Sequence, residues 1–353
     1  MNATSAAQRP LRVGVIGTGR IGRLHAGLLA SQVKNASLVA VSDAISRLAQ
    51  EVGETLGVGA VAPEELIESR GTDAVAICSS TGTHVDYIVR AAEAGKAIFC
   101  EKPISLELAE VDRALRAAQT SGVPLMIGFN RRFDPSHAAV REAVDSGAIG
   151  TPNLVRVTSR DPAPPPMEYA RVSGGIFLDM TVHDFDMARF VAGTEAVEVH
   201  AAGSIRAVPA LAEIGDVDTA VITLWHEDGC LSVIDNSRQA SYGYDQRVEV
   251  LGSKGLVASD NPLANTAVFR DGGGSRMATF PYFFVERYTQ SYLLQWEAFV
   301  GAVSSGTPVP TSGHDGRAAL VLGLAAKKSL AEHRPVRTSE IEAHEAASSR
   351  SGR

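Results

Sequence analysis

Leu11-Arg12-Val13-Gly14-Val15-Ile16-Gly17-Thr18-Gly19-Arg20-Ile21-Gly22 decides how the first third of this chain is read. A short apolar run ends in G-x-G-x-x-G and passes straight into an amphipathic stretch, which is the strand–turn–helix context a dinucleotide-binding turn requires. In that context Gly17 makes the tight turn, Gly19 lets a pyrophosphate approach the backbone, and Gly22 lets helix and strand pack closely. The free N–H groups of the first helical turn, from Arg20 and Ile21 onward, then favour an anion. Asp43 ends the second apolar run, 21 positions after Gly22. A carboxylate there accepts from the adenosine ribose hydroxyls and repels a 2′-phosphate, so the cofactor is read as NAD rather than NADP. Arg47, four residues on, is the side chain that would favour the phosphate.

Outward from this turn the same rhythm continues to about residue 130. Apolar runs at 11–17, 38–43, 74–79, 96–100 and 124–129 read as strands buried on both faces. Helical stretches at 21–31, 46–56, 63–68, 84–94 and 106–121 alternate with them, punctuated by Gly95, Gly122 and Pro63. Short connections in a βαβα order imply right-handed crossovers and a doubly wound parallel sheet, a Rossmann domain over residues 1–130. After Arg131 strands follow one another at 153–159, 197–206, 219–225, 230–236, 247–252 and 266–269, which points to a mostly antiparallel sheet. Helices are expected at 136–146, 179–191, 286–303 and 315–332, so residues 131–337 read as an α+β domain and 338–353 as a polar, frayed tail.

Composition narrows the classes. The 353 residues are 45% hydrophobic and 21% charged, the balance of a soluble globular protein and not of a disordered or collagen-like one. With 33 basic against 40 acidic residues the net charge is −7, and no basic run offers a footprint for nucleic acid or an anionic membrane. The first ten residues lack the apolar core of a signal peptide, and no apolar run approaches bilayer-spanning length. Cys78, Cys100 and Cys230 lie far apart without metal-ligand spacing. The expectation is a cytoplasmic protein.

Three further stretches carry chemistry. Ser79-Ser80-Thr81-Gly82-Thr83-His84 leaves a strand at the edge where open α/β sheets bind ligands, and Ser79, Thr81 and His84 are candidates for the nicotinamide end of a cofactor. Glu101-Lys102-Pro103 leaves the next strand at the same edge. Finally, Gly174-Gly175-Ile176-Phe177-Leu178-Asp179-Met180-Thr181-Val182-His183-Asp184-Phe185-Asp186 places Asp179, His183 and Asp186 on one stripe if it is helical from Asp179. Two carboxylates and an imidazole amid apolar neighbours suit proton transfer. The same residue types also suit a transition metal, and at this point both readings stand.

The combination of the glycine turn, Glu101-Lys102-Pro103 and Asp179-x-x-x-His183 resembles the Gfo/Idh/MocA family of NAD(P)-dependent sugar and cyclitol oxidoreductases. Gly128-Phe129-Asn130-Arg131-Arg132-Phe133-Asp134, Ser159-Arg160-Asp161-Pro162, Ser173-Gly174-Gly175 and Tyr242-Gly243-Tyr244-Asp245 resemble its inositol 2-dehydrogenases. The resemblance runs from about Leu11 to Glu332. It implies a catalytic trio of Lys102, Asp179 and His183, with Glu101 and Lys102 also at the cofactor. It implies a substrate wall of Asn130, Arg131, Asp161, Asp186 and Tyr244, no metal, and a homotetramer. The implied reaction is NAD-dependent oxidation of a cyclic polyol, myo-inositol to its 2-keto form. His183 would take the hydroxyl proton, Asp179 orient the imidazole and Lys102 stabilise the developing alkoxide. The competing expectations are another cyclitol or a pyranose as substrate, an NAD-binding sensor without turnover, and a metal-dependent hydrolase or isomerase.

Overall fold

A computed structural model describes residues 9–343. The chain divides into two compact units: residues up to Phe129 with Tyr292–Arg317, and Asn130–Ser291 with the residues from Ala318 onward.

In the first unit the strands are β1 (Leu11–Ile16), β2 (Ala36–Ser42), β3 (Gly59–Ala60), β4 (Ala74–Ile77), β5 (Ala97–Cys100) and β6 (Leu125–Ile127). They form one parallel sheet in the order β3-β2-β1-β4-β5-β6. Every residue of β4 and β5 is buried, as expected where helices cover both faces. Those helices are α1 (Arg20–Ser31), α2 (Ser46–Leu56), α3 (Pro63–Glu68), α4 (Thr81–Glu93) and α5 (Leu108–Ser121). Strand order reverses between β1 and β4, the topological switch where such sheets bind ligands. Ile16 pairs with Ser42 and with Ile77, and Ile77 pairs with Cys100. The register therefore sets Gly17, Asp43, Ser79 and Glu101 along one edge. The two-residue edge strand β3 carries no apolar run and was not foreseen.

The sequence boundary at 130/131 misses a return of the chain. Within Tyr292–Arg317, Trp296 stacks on Phe99 at 4.6 Å, and Ile127 N–H donates to the carbonyl of Thr311 at 2.8 Å on the free side of β6. Helical periodicity marks an apolar face but does not say which core it joins, so this segment could not be placed from its pattern.

The second unit holds α6 (Pro135–Asp145), β7 (Pro152–Arg160), α7 (Met167–Ala170), α8 (Ile176–Asp179), α9 (Val182–Ala192), β8 (Ala196–Ser204), β9 (Thr219–His226), β10 (Leu231–Ser237), β11 (Asp245–Gly252), β12 (Leu256–Ser259), β13 (Val268–Asp271) and β14 (Gly274–Met277). Helix α10 (Phe284–Arg287) follows; α11 (Thr289–Ser305) belongs to the first unit from Tyr292 on, and most of α12 (Gly313–Glu332), with β15 (Val336–Arg337), returns to the second. Seven strands form one sheet in the order β12-β11-β7-β10-β9-β8-β15, antiparallel throughout except for β7 against β10. Along β7 burial alternates, with Val155, Val157 and Ser159 inward. The other face leaves Val221, Trp225, Leu231 and Leu251 exposed.

Two local expectations are corrected. The single helix expected over 179–191 is broken at Met180-Thr181, because Thr181 N–H reaches back five residues to the carbonyl of Ile176 at 2.9 Å while its hydroxyl donates to Asn236 at 2.5 Å. The tail expected from 338 begins as helix: residues 338–343 are helical, Ile341 is buried, and Glu340 pairs with Arg334 at 2.7 Å and Lys328 at 3.3 Å. The remainder of that tail, and the first eight residues read for a signal peptide, lie outside the described residues.

Candidate active site

The glycine turn is built as its residue types require. Gly17 has φ +94°, and a Cβ on it would stand 2.5–2.6 Å from the backbone of Cys78 and Ser79. A Cβ on Gly22 would meet the Gly17 carbonyl at 1.9 Å, whereas one on Gly19 would meet nothing within 4 Å. Two glycines are needed by the fold and the middle one opens onto space a ligand can use. Gly19 caps α1 without a side-chain bond and no acidic residue lies in the first turn, so the amides of Arg20, Ile21 and Gly22 suit a pyrophosphate.

Asp43 is already organised. Its Oδ2 accepts from Thr18 N–H at 2.7 Å and Thr18 Oγ1 at 2.9 Å, and its Oδ1 accepts from Ile45 N–H at 2.9 Å. Partial burial pushes the carboxyl upward, but these hydrogen bonds and the Arg23 charge outweigh it and hold it below the usual range. One carboxylate thus shapes the turn and remains ionised for ribose hydroxyls. Arg47, the side chain that would favour a 2′-phosphate, is paired with Glu51.

The two loops after β4 and β5 depart from expectation. Ser79 Oγ and Thr83 Oγ1 are 2.7 Å apart, and Thr81 opens α4 at the sheet edge. His84, expected at the cofactor, is buried, with Nδ1 2.9 Å from the Pro103 carbonyl and Nε2 3.0 Å from that of Ser79. Burial lowers its pKa against those two carbonyls, which favour the charged form. Glu101, also expected at the cofactor, turns inward: Oε1 lies 2.8 Å from His25 Nε2, and Oε2 accepts from Lys102 N–H at 3.3 Å. Both side chains therefore support the loop from beneath. Lys102 is half-buried, and its peptide bond to Pro103 is cis.

In the second unit Asp179 closes α8, and His183, half-buried, lies in the first turn of α9. Asp179 Oδ1 accepts from the Tyr169 hydroxyl at 2.7 Å and Oδ2 from Arg238 Nη1 at 3.2 Å. Beneath lies a buried network. Arg131 donates to Asp184 at 2.5 Å and lies 3.5 Å from the Tyr244 hydroxyl; Asn236 donates to the other Asp184 oxygen at 2.9 Å. Asn130 is also buried and donates to Ser291 at 3.2 Å. Burial pushes the Asp161 carboxyl up to about 6, with Asp179 and Asp184 adding to the rise and Arg238 and Arg131 opposing it.

Asp186 does not join this group. Arg132 holds both its oxygens, at 2.9 and 2.5 Å, and Arg189 lies 3.7 Å away. The break at Met180-Thr181 leaves Asp179 on α8 while His183 and Asp186 lie on α9, so the single helical stripe expected of the three is interrupted. Asp184, Asn236, Tyr169 and Arg238 were missed by the sequence reading; only Asp184 carried a signal, as part of the quoted acidic motif. Among the described residues no group of three or more His, Cys, Asp or Glu side chains is arranged to hold a metal ion. No described helix is long and apolar enough to cross a membrane.

Two family models match the chain: the oxidoreductase family with an NAD-binding Rossmann fold over residues 11–129, and the GFO/IDH/MocA C-terminal domain over residues 137–258. The chain belongs to the Gfo/Idh/MocA oxidoreductases. Myo-inositol 2-dehydrogenase of Thermotoga maritima is 51% identical over 333 residues, 94% of this chain and 99% of that protein. A crystal structure of a probable dehydrogenase from Thermotoga maritima superposes with a TM-score of 0.92 at 52% identity, over 94% of this chain and 99% of that one. Scyllo-inositol dehydrogenase of Lactobacillus casei, solved with bound NAD(H) and scyllo-inositol, gives 0.87 at 29% identity, over 94% and 100% of the two chains. As in this family generally, the cofactor half is an NAD-binding Rossmann domain, and the glycine turn, uncapped α1 and ionised Asp43 described above fit that dinucleotide.

Proposed function

We propose that this protein oxidises one secondary hydroxyl of inositol with NAD, the preferred substrate being myo-inositol and the product its 2-keto derivative. The observation that carries the reading is identity over nearly the full length to a myo-inositol 2-dehydrogenase. Scyllo-inositol is the second reading, favoured by the full-length similarity to an enzyme solved with that cyclitol bound.

Gly17, Gly19, Gly22 and the first amides of α1 would hold the pyrophosphate, Asp43 the adenosine ribose, and Ser79 and Thr81 the edge near the nicotinamide. NAD, when bound, supplies the hydride acceptor. The chain supplies the proton chemistry. His183 Nε2 or Nδ1 takes the hydroxyl proton, since an imidazole exchanges protons near neutral pH. Asp179, held by Tyr169 and Arg238, carries the negative charge that favours the imidazolium so formed. Lys102 donates a hydrogen bond to the oxygen that becomes alkoxide and then carbonyl. Asn130, Arg131, Asp161 and Tyr244 form the polyol-facing wall, and Asp186 serves instead as the structural partner of Arg132. A site made of such groups rejects analogues lacking a hydroxyl, because its own polar atoms would be left unpaired.

The exposed apolar residues of the second sheet, Val221, Trp225, Leu231 and Leu251, support a homotetramer assembled through that face. The three free cysteines support a cytoplasmic setting. The test is NADH formation by purified protein with NAD and myo-, scyllo- and chiro-inositol beside common aldoses. NADH with myo-inositol is the expected result; NADH with aldoses alone overturns the substrate, and none with any polyol overturns the activity.

A further inference from the structure

We infer that two buried histidines, His25 and His84, are positioning residues for Lys102, acting through the Glu101 carboxylate and the Pro103 carbonyl. The inference rests on the role given to Lys102 above.

His25, three residues past the glycine turn on α1, is fully buried. Trp296 Nε1–H donates to its Nδ1 at 2.9 Å. An indole nitrogen donates only, so His25 Nδ1 carries no proton and the ring proton sits on Nε2. That proton points at Glu101 Oε1, 2.8 Å away, and Glu101 Oε2 accepts from Lys102 N–H at 3.3 Å. The imidazole is held edge-on by Phe99, Tyr292 and Trp296, with centroids 5.2 to 5.7 Å away. Gly128 makes room for the carboxylate, since a Cβ there would stand 2.9 Å from it.

On the other side of the loop, His84 lies between the carbonyls of Pro103 and Ser79, its Nδ1 2.9 Å from the first and its Nε2 3.0 Å from the second. Lys102 is thus gripped at its own N–H and at the carbonyl of the following residue. An apolar core would fill this space without burying a carboxylate, which is costly unless every oxygen is matched. Three donor–acceptor steps in series instead hold one loop in one place. The side chain launched from that loop is a flexible lysine, whose aim depends on its backbone, and a displacement of about 1 Å at a reacting group costs roughly 100-fold in rate.

The experiment uses the full-length protein and three readouts. Nitrogen-15 NMR of the wild-type protein should show His25 protonated at Nε2 and bare at Nδ1. Trp296→Phe removes the donor while keeping a ring, Glu101→Gln keeps the shape but can no longer accept at both ends, and His84→Asn meets one carbonyl in place of two. Each folded variant should bind NAD within about twofold of wild type, lose roughly tenfold or more in kcat, and show a displaced kcat–pH limb. Lys102→Ala is the reference. If Lys102→Ala keeps near-normal turnover, the reading of Lys102 is lost. If it is inactive while folded Glu101→Gln and Trp296→Phe keep wild-type kcat and pH profile, the positioning inference alone is overturned. A proton found on His25 Nδ1 overturns it as well, and Glu101→Gln decides should Trp296→Phe fail to fold.

Discussion

The glycine turn of the first unit and the buried charge network of the second are built by opposite means. At the glycine turn most of the geometry is local: twelve consecutive residues make a strand, a turn and the uncapped start of a helix, and one carboxylate just after the next strand completes it. The buried network of the second unit is assembled from loop, strand and helix residues scattered over more than a hundred positions, Arg131, Ser159, Asp184, Asn236 and Tyr244. The first presents backbone amides to solvent and needs open space. The second buries charges and must neutralise them within the protein. The local device tolerates its surroundings, while the dispersed one depends on every partner being present.

The largest effect should come from the reacting groups. Lys102→Ala and His183→Ala should each lower kcat by roughly 100- to 10,000-fold while NAD affinity, followed by fluorescence titration, stays near wild type. Turnover close to normal in both would remove both residues from the proposed proton chemistry.

Next is the buried pair. Asp184→Ala strands Arg131 without its carboxylate and should cost about 3–5 kcal/mol, read as a lowered urea midpoint. A cost below about 1 kcal/mol would show that the network relaxes as easily as a surface ion pair. In the other half, Asp43→Ser should weaken NAD binding by about tenfold, the scale of one to two hydrogen bonds, and narrow the preference over NADP. Unchanged selectivity would remove Asp43 from that role.

Asp161 sharpens the contrast through pH. Its folded pKa of about 6 lies above the ordinary carboxylate value of 3.8, so the folded state binds more protons than the unfolded state between these values. Its contribution therefore falls as pH rises from about 4 to 6 and stays unfavourable above. Asp161→Asn should flatten that slope and raise stability at neutral pH by about 2 kcal/mol, measured by denaturant titration across pH. A slope identical to wild type would rule this out. Asp43 has the opposite sign: its depressed pKa stabilises above the ordinary carboxylate range and that stabilisation is lost as pH falls through the lowered value. The smallest change is expected from Tyr169→Phe, which removes one hydrogen bond to Asp179 and should lower kcat about threefold with thermal stability unchanged.

What was legible in the chain follows this division. Periodicity placed β1, α1, α2 and α3 within a residue of their observed bounds, because a strand buried on both faces and an amphipathic helix write their burial into consecutive residues. The glycine spacing and Asp43 were legible for the same reason. His84 and Glu101 were expected at the cofactor; the structure shows both side chains buried and bonded within the protein, and the direction of a side chain at a strand end depends on what lies beneath it. There the answer is His25 and Trp296, which are 271 positions apart and yet hydrogen-bonded.

The sequence by itself determined the parallel nucleotide-binding sheet, its anion-binding turn and the family, all of them short-range patterns of size, polarity and backbone freedom. Tertiary structure decided the rest. It broke the helix at Met180-Thr181 because Thr181 is claimed by Asn236, gave Asp186 to Arg132 and Asp184 to Arg131, and returned Tyr292–Arg317 to the first unit. Which buried charge meets which partner is a property of packing between distant segments, and no local pattern records it.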